Sequence, residues 1–159
     1  DGRVIDESLE IMLWALEQSD PEKWLDENRN KLSHINELIQ KNDFHFKPNL
    51  DRYKYSVRYP ESTAINYRNL GERFLEHLER GLTLTTYLVG ERKTLADTAI
   101  FPFIRQFSGV DPEWFQDAPY PKLRYWLQQW VESELFQHVM PKYAQWKEGS
   151  TPIVFPALN

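Results

Sequence analysis

Thr94-Leu95-Ala96-Asp97 opens the stretch TLADTAIFPFIRQF, which limits the possible folds more than any other part of the chain. Leu95, Ala96, Ala99, Ile100, Phe103, Ile104 and Phe107 recur there at helical spacing. Their stripe is too wide for a helix with one face in water, so the spacing predicts a buried helix. A buried helix start cannot leave its first N–H groups to solvent. Thr94 and Asp97 form a capping box that solves this. The Thr hydroxyl accepts the N–H three residues on, and the Asp carboxylate accepts the N–H of Thr94. Both residues are therefore expected to be structural. Pro102 lies inside the same helix, lacks an N–H, and is expected to kink it.

A buried helix needs other elements to cover it, and the rest of the chain offers mostly helices. Leu9, Met12, Leu13 and Leu16 fall at i, i+3, i+4 and i+7, which predicts a first helix over 7–18. SDPEKW is a turn, with Pro21 suited to the first turn of a short helix. Leu32, Ile35, Leu38 and Ile39 mark a second helix, and Pro48 makes the following run bend or restart. After the break at YPES, Ile65, Tyr67, Leu70, Phe74, Leu75 and Leu78 lie largely on one side of a helix over 62–80. LTLTTYLVGE alternates like a short strand, but no partner strand is visible, so a loop is expected. Leu123, Trp126, Leu127 and Trp130 share one helical face, and Leu135, Val139, Met140 and Tyr143 mark a last helix. Residues 150–159 carry two prolines and no helical period, so an extended tail is expected there. The expected fold class is all-α, a bundle of about seven helices.

Composition narrows the function. A chain of 159 residues fits one domain and can bury roughly 70% of its unfolded surface without a metal or disulfide. With no cysteine, disulfides, thiolate metal sites and thiol catalysis are excluded for these residues. A net charge of −5 gives no reason to expect nucleic acid. No apolar run is long enough for a membrane span and no signal peptide is visible, so a cytoplasmic protein is expected. His34, His45, His77 and His138 are scattered with no i, i+4 pair, so no metal is expected. Neither a Gly-rich phosphate loop nor a nucleophile elbow occurs.

Two regions remain as candidate sites. Glu7 and Ser8 stand at the mouth of the first helix, where they serve either as caps or as part of an anion site. In FKPNLDRYKYSVRYPE, the residues Leu50, Tyr53, Lys54 and Val57 fall on one face if the stretch is helical. Lys47, Arg52, Lys54, Arg58 and Arg68 give that region a positive bias against an acidic whole. Packing against a neighbouring helix, or against a second copy, would use the same residues.

Gly90 followed by Thr94-Leu95-Ala96-Asp97 resembles the capping box and staple of the glutathione S-transferase C-terminal domain. YPKLRYWLQQW is similar to that family's following Tyr-Pro-x-Leu segment and Trp-bearing helix. DESLEIMLWAL is similar to the family's Glu-Ser pair at the start of the helix linking its two domains. The resemblance implies residues 1–6 as a linker remnant, 7–149 as the helical C-terminal domain and 150–159 as its tail. It also implies a thioredoxin-like N-terminal domain, missing here, that supplies the catalytic residue, so this chain alone would be inactive. By the same resemblance, Glu7 and Ser8 hold the γ-glutamyl carboxylate of glutathione, the co-substrate. Leu50, Tyr53, Lys54 and Val57 would line the pocket for a small hydrophobic electrophile, to which glutathione is transferred or from which it is removed. A homodimer is implied as well. The alternative is a non-catalytic protein-interaction module with the same fold.

Overall fold

The structure, a computed structural model, describes residues 4–25, 29–145 and 147–152. Its elements are α1 (Ser8–Gln18), α2 (Arg29–Lys41), a π turn (Asn42–Phe46), α3 (Lys47–Lys54), a 3-10 turn (Ser56–Arg58), α4 (Ala64–Leu82), α5 (Leu95–Ser108), α6 (Pro112–Asp117), α7 (Pro121–Val131) and α8 (Glu134–Val139). The fold is all-α, as the sequence predicts. Among the described residues there is no strand, and LTLTTYLVGE forms a loop whose sole β feature is a bridge between Tyr87 and Gly90. Gly90 has φ +120, a left-handed conformation that favours glycine. Residues 1–3 of the expected linker remnant and 153–159 of the expected tail lie outside the described residues.

The stripe on α5 places that helix at the centre. Leu95, Ala96, Ile100, Ile104 and Phe107 are sealed from solvent. α2, α3 and α7 pack against α5, and α4 packs against α3 and α7. α5 runs unbroken through Pro102, which lies on its exposed side. Gly71 on α4 permits close packing against α5, because a Cβ there would sit 2.6 Å from Phe107 Cε2.

The expected bend or restart at Pro48 takes the form of a change of helix type upstream of it, with helical backbone continuous from Lys41 into α3. α2 passes through the π turn into α3, with Pro48 in the first turn of α3, where a missing N–H costs nothing. The π turn buries Phe46, whose ring lies 5.0 Å from Phe74 and 5.2 Å from Phe107 between centroids. It also buries Asn42, whose Oδ1 has no hydrogen-bond partner.

α1 is attached more loosely. Leu9, Met12, Leu13 and Leu16 are partly buried against the core, as their spacing predicts, yet no residue of α1 is fully buried. The turn after it is firmly held. Asp20 accepts the N–H groups of Trp24 and Leu25, both at 2.8 Å, and the Trp24 carbonyl accepts the Leu95 N–H at 3.0 Å.

Two expected core faces differ. Ile65 and Leu70 on α4 face solvent while Tyr67, Phe74, Leu75 and Leu78 are buried. On α8 the outward residues are Leu135 and Val139, with Met140 just beyond, and the inward one is Phe136, edge-on to Phe101 at 5.0 Å. α8 is short, ending at Val139 before Met140 and Tyr143; Phe136 turns in against the Phe101 ring and the Arg105 guanidinium, and α7 packs beside it.

Candidate functional site

Asp97 is fully buried and its carboxylate takes four donors. Oδ1 accepts from the Leu88 N–H at 3.0 Å and from Trp126 Nε1 at 2.9 Å. Oδ2 accepts from the Thr94 N–H at 2.9 Å and the Thr94 hydroxyl at 3.0 Å. The expected capping box is formed, and it is half of a larger hub. Burial pushes the Asp97 carboxyl above the ordinary carboxylate range, against the opposing effect of these donors. With both oxygens doubly occupied and no exposure, the group joins α5, α7 and the 83–94 loop and offers nothing to a ligand.

The mouth of α1 is the opposite case. Glu7 occupies the N-cap position with φ −89 and ψ 133, and no side-chain hydrogen bond caps the helix. Glu7 and Ser8 are both exposed. An uncapped start leaves N–H donors and the positive end of the helix dipole facing outward, next to the Ser8 hydroxyl. Here an anion could meet unused backbone donors.

The candidate wall is split by the end of its helix. α3 stops at Lys54, and Val57 lies in the 3-10 turn beyond it, 91% exposed. Leu50 and Tyr53 point into the core, with Tyr53 5.1 Å from Phe107 between ring centroids. Burial raises the Tyr53 phenol above its ordinary value. Lys54 is exposed and its Nζ donates to Gln106 Oε1 at 3.1 Å. The structure therefore does not bring the four together on one surface.

Arg68, one of the cations in that region, is committed elsewhere. Its guanidinium lies 4.4 Å from the Trp114 ring centroid, with Nε 3.6 Å from Glu72 and Nη1 3.8 Å from Asp111. Glu72 also accepts from the Tyr120 hydroxyl at 3.0 Å. Burial and this carboxylate push the Tyr120 phenol up. Tyr120 and Trp114 thus fasten the α6–α7 region to α4. Sequence spacing could not reveal this, because Glu72 and Tyr120 are far apart in the chain. The same holds for Glu79, whose carboxylate accepts the N–H groups of Lys122 and Leu123 at 3.1 and 2.7 Å and so caps α7.

Among the described residues no group of three or more His, Asp or Glu side chains could hold a metal ion. Among the same residues no helix is long and apolar enough to cross a membrane.

A central capped helix surrounded by helices, with an uncapped helix at the edge, defines an all-helical domain of a known type. The family profile of the glutathione S-transferase C-terminal domain matches residues 48–129, and the chain belongs to that family. Among solved structures, it is similar to a glutathione transferase family member from Pseudomonas fluorescens Pf-5 with two glutathione bound (TM-score 0.72, 22% identity, 84% of this chain and 61% of that one). It is similar to glutathione S-transferase I bound with lactoylglutathione (TM-score 0.70, 20% identity, 86% and 69%). A glutathione transferase from Burkholderia graminis, with two glutathione molecules bound per subunit, is similar too (TM-score 0.70, 17% identity, 84% and 58%). At these identities the likeness shows the fold. No curated protein matches the sequence at a significant level.

Proposed function

We propose that this chain is the helical part of a glutathione transferase-type enzyme. In the intact protein, glutathione binds between this domain and a thioredoxin-like domain, which supplies the catalytic group. Glutathione is then transferred to a small hydrophobic electrophile, or removed from one. The observation that carries this reading is the uncapped, exposed start of α1 in a chain of this family. A carboxylate of glutathione fits there as an N-terminal anion, with the Ser8 hydroxyl as a further donor and Glu7 available to its ammonium. The solved relatives with glutathione bound support the same ligand.

In this reading Lys54 and Val57 form the accessible part of the electrophile's wall, with Leu50 and Tyr53 holding it from beneath. A cytoplasmic homodimer fits the proposal, since glutathione is a cytosolic thiol and α4 exposes Ile65 and Leu70. The test is retention of the full-length protein on glutathione resin, with elution by free glutathione. The expected result is retention by the wild type and clear loss by Ser8→Ala. Failure of the wild type to bind would leave the interaction-module reading, which is favoured by the exposed Leu135, Val139 and Met140 beside α8.

A further inference from the structure

We propose that the cleft between the 20–25 turn, the start of α2 and the 83–94 loop binds an oligophosphate, a short chain of phosphoryl groups either free or carried on a larger molecule. The cleft encloses about 280 Å³. Lys23, Lys31, Arg92 and Lys93 line it, and Glu91 is the one acid among its lining residues. A protein of net charge −5 thus gathers four cations against one carboxylate on a single concave surface. They come from three separate segments, so the fold assembles them.

The backbone around the cleft is unusual in the same place. Lys23 has φ 55 and is the one non-glycine residue with a positive φ among the described residues. A side chain disfavours that conformation, so the turn has to impose it. Asp20 does so: its carbonyl accepts the Lys23 N–H at 3.1 Å while its carboxylate holds the Trp24 and Leu25 N–H groups. Gly90, with φ +120, lines the cleft as well, and Lys31 Nζ lies 3.9 Å from where a Cβ on it would stand. The described acids nearby have other partners. Glu22 Oε2 accepts from Trp24 Nε1 at 3.1 Å, and Glu91 Oε2 accepts from the Thr86 hydroxyl at 2.6 Å. Lys31 and Arg92 have contacts of their own, so the ligand's charge is met first by Lys23 and Lys93. Lys93 Nζ is held over the Trp130 ring, 5.0 Å from its centroid, a contact that steadies the ammonium without neutralising it. Ammonium groups act as point charges with several donors, which suits a multiply charged phosphate chain. The cleft has no aromatic lining residue and its Val89 is buried, so whatever the phosphates are attached to is not read. Glutathione binding at α1 is not assumed, so this proposal stands or falls separately from that reading.

The experiment is calorimetric titration of the full-length protein in metal-free buffer with inorganic triphosphate, inorganic phosphate and ATP. Triphosphate and ATP are expected to bind about equally, and phosphate about tenfold more weakly or worse. Lys23→Gly removes an ammonium while suiting the left-handed backbone, so it should weaken triphosphate about tenfold without lowering Tm. Lys93→Gln should weaken it similarly, and Lys122→Gln, outside the cleft, should leave it unchanged. If Lys93→Gln unfolds, Lys23→Gly alone carries the test. No triphosphate binding, phosphate binding as tightly as triphosphate, unchanged affinity in the cleft variants, or an equal loss in Lys122→Gln would overturn the proposal. Displacement of triphosphate by glutathione would overturn it, since the cleft would then belong to that ligand. Capture on anionic vesicles with no binding of free triphosphate would overturn it too.

Discussion

Asp97→Ala is expected to strand three N–H groups, those of Leu88, Thr94 and the Trp126 indole, in a site with no exposure. Each orphan costs about 1–3 kcal/mol, so the loss should be on the order of 3–5 kcal/mol. For a chain of this size that lowers Tm by roughly 10 °C, which a thermal melt would show. The same residue predicts a pH dependence. Burial raises the folded-state pKa of Asp97 above its ordinary 3.8, so the folded protein takes up this proton more readily than the unfolded one. Its contribution is greatest in acid and declines as pH rises through that raised pKa. Urea melts of wild type and Asp97→Asn should therefore show the wild type losing ground to the variant above pH 3.8; a gain would contradict the assignment. The Thr94–Asp97 half of the hub was legible in sequence because its partners are three residues apart. Trp126 was not, because nothing local marks which distant indole will reach a buried carboxylate.

At the scale of elements, helix ends and helix contacts carry the predictions. Glu79→Ala removes the carboxylate that caps α7 and should cost about 0.5–2 kcal/mol in chemical denaturation. Gly71→Ala drives a methyl into Phe107 and should cost about 1–3 kcal/mol. His77 on α4 faces Lys41, Arg80 and His34, and burial first, then these charges, hold its pKa below the ordinary 6.5. Protonation is thus resisted in the folded state, so stability should fall as pH drops through about 6.5, and His77→Gln should flatten that slope in melts at pH 5.5 and 7.5. Periodicity located the helices well where a whole stripe is buried, as on α5 and α7. It misjudged Leu70 on α4 and Val139 on α8, because spacing marks apolar residues without showing which will meet a partner. The π turn was also invisible, since Pro48 explains a restart but not an inserted residue.

At the scale of the whole molecule, the chain spans 61% of the Pseudomonas fluorescens relative and 58% of the Burkholderia graminis one. The proposed glutathione site lies at an edge helix that buries nothing completely, which is where a further domain would complete it. The family was legible in the order of three short segments, and the profile match to residues 48–129, which holds one of them and all but the last residue of a second, shows it. The proposed ligand residues Glu7 and Ser8 rest on one uncapped helix start, and the proposed wall rests on a helix that ends earlier than the spacing suggests. The measurement that tests the two-domain account most directly is the intact mass of the protein purified from its source cells. The account predicts a mass above the 19.1 kDa of this chain by a further thioredoxin-like domain. A natural protein of 19.1 kDa would contradict it, because Glu7 and Ser8 would then have no second wall against which to hold glutathione.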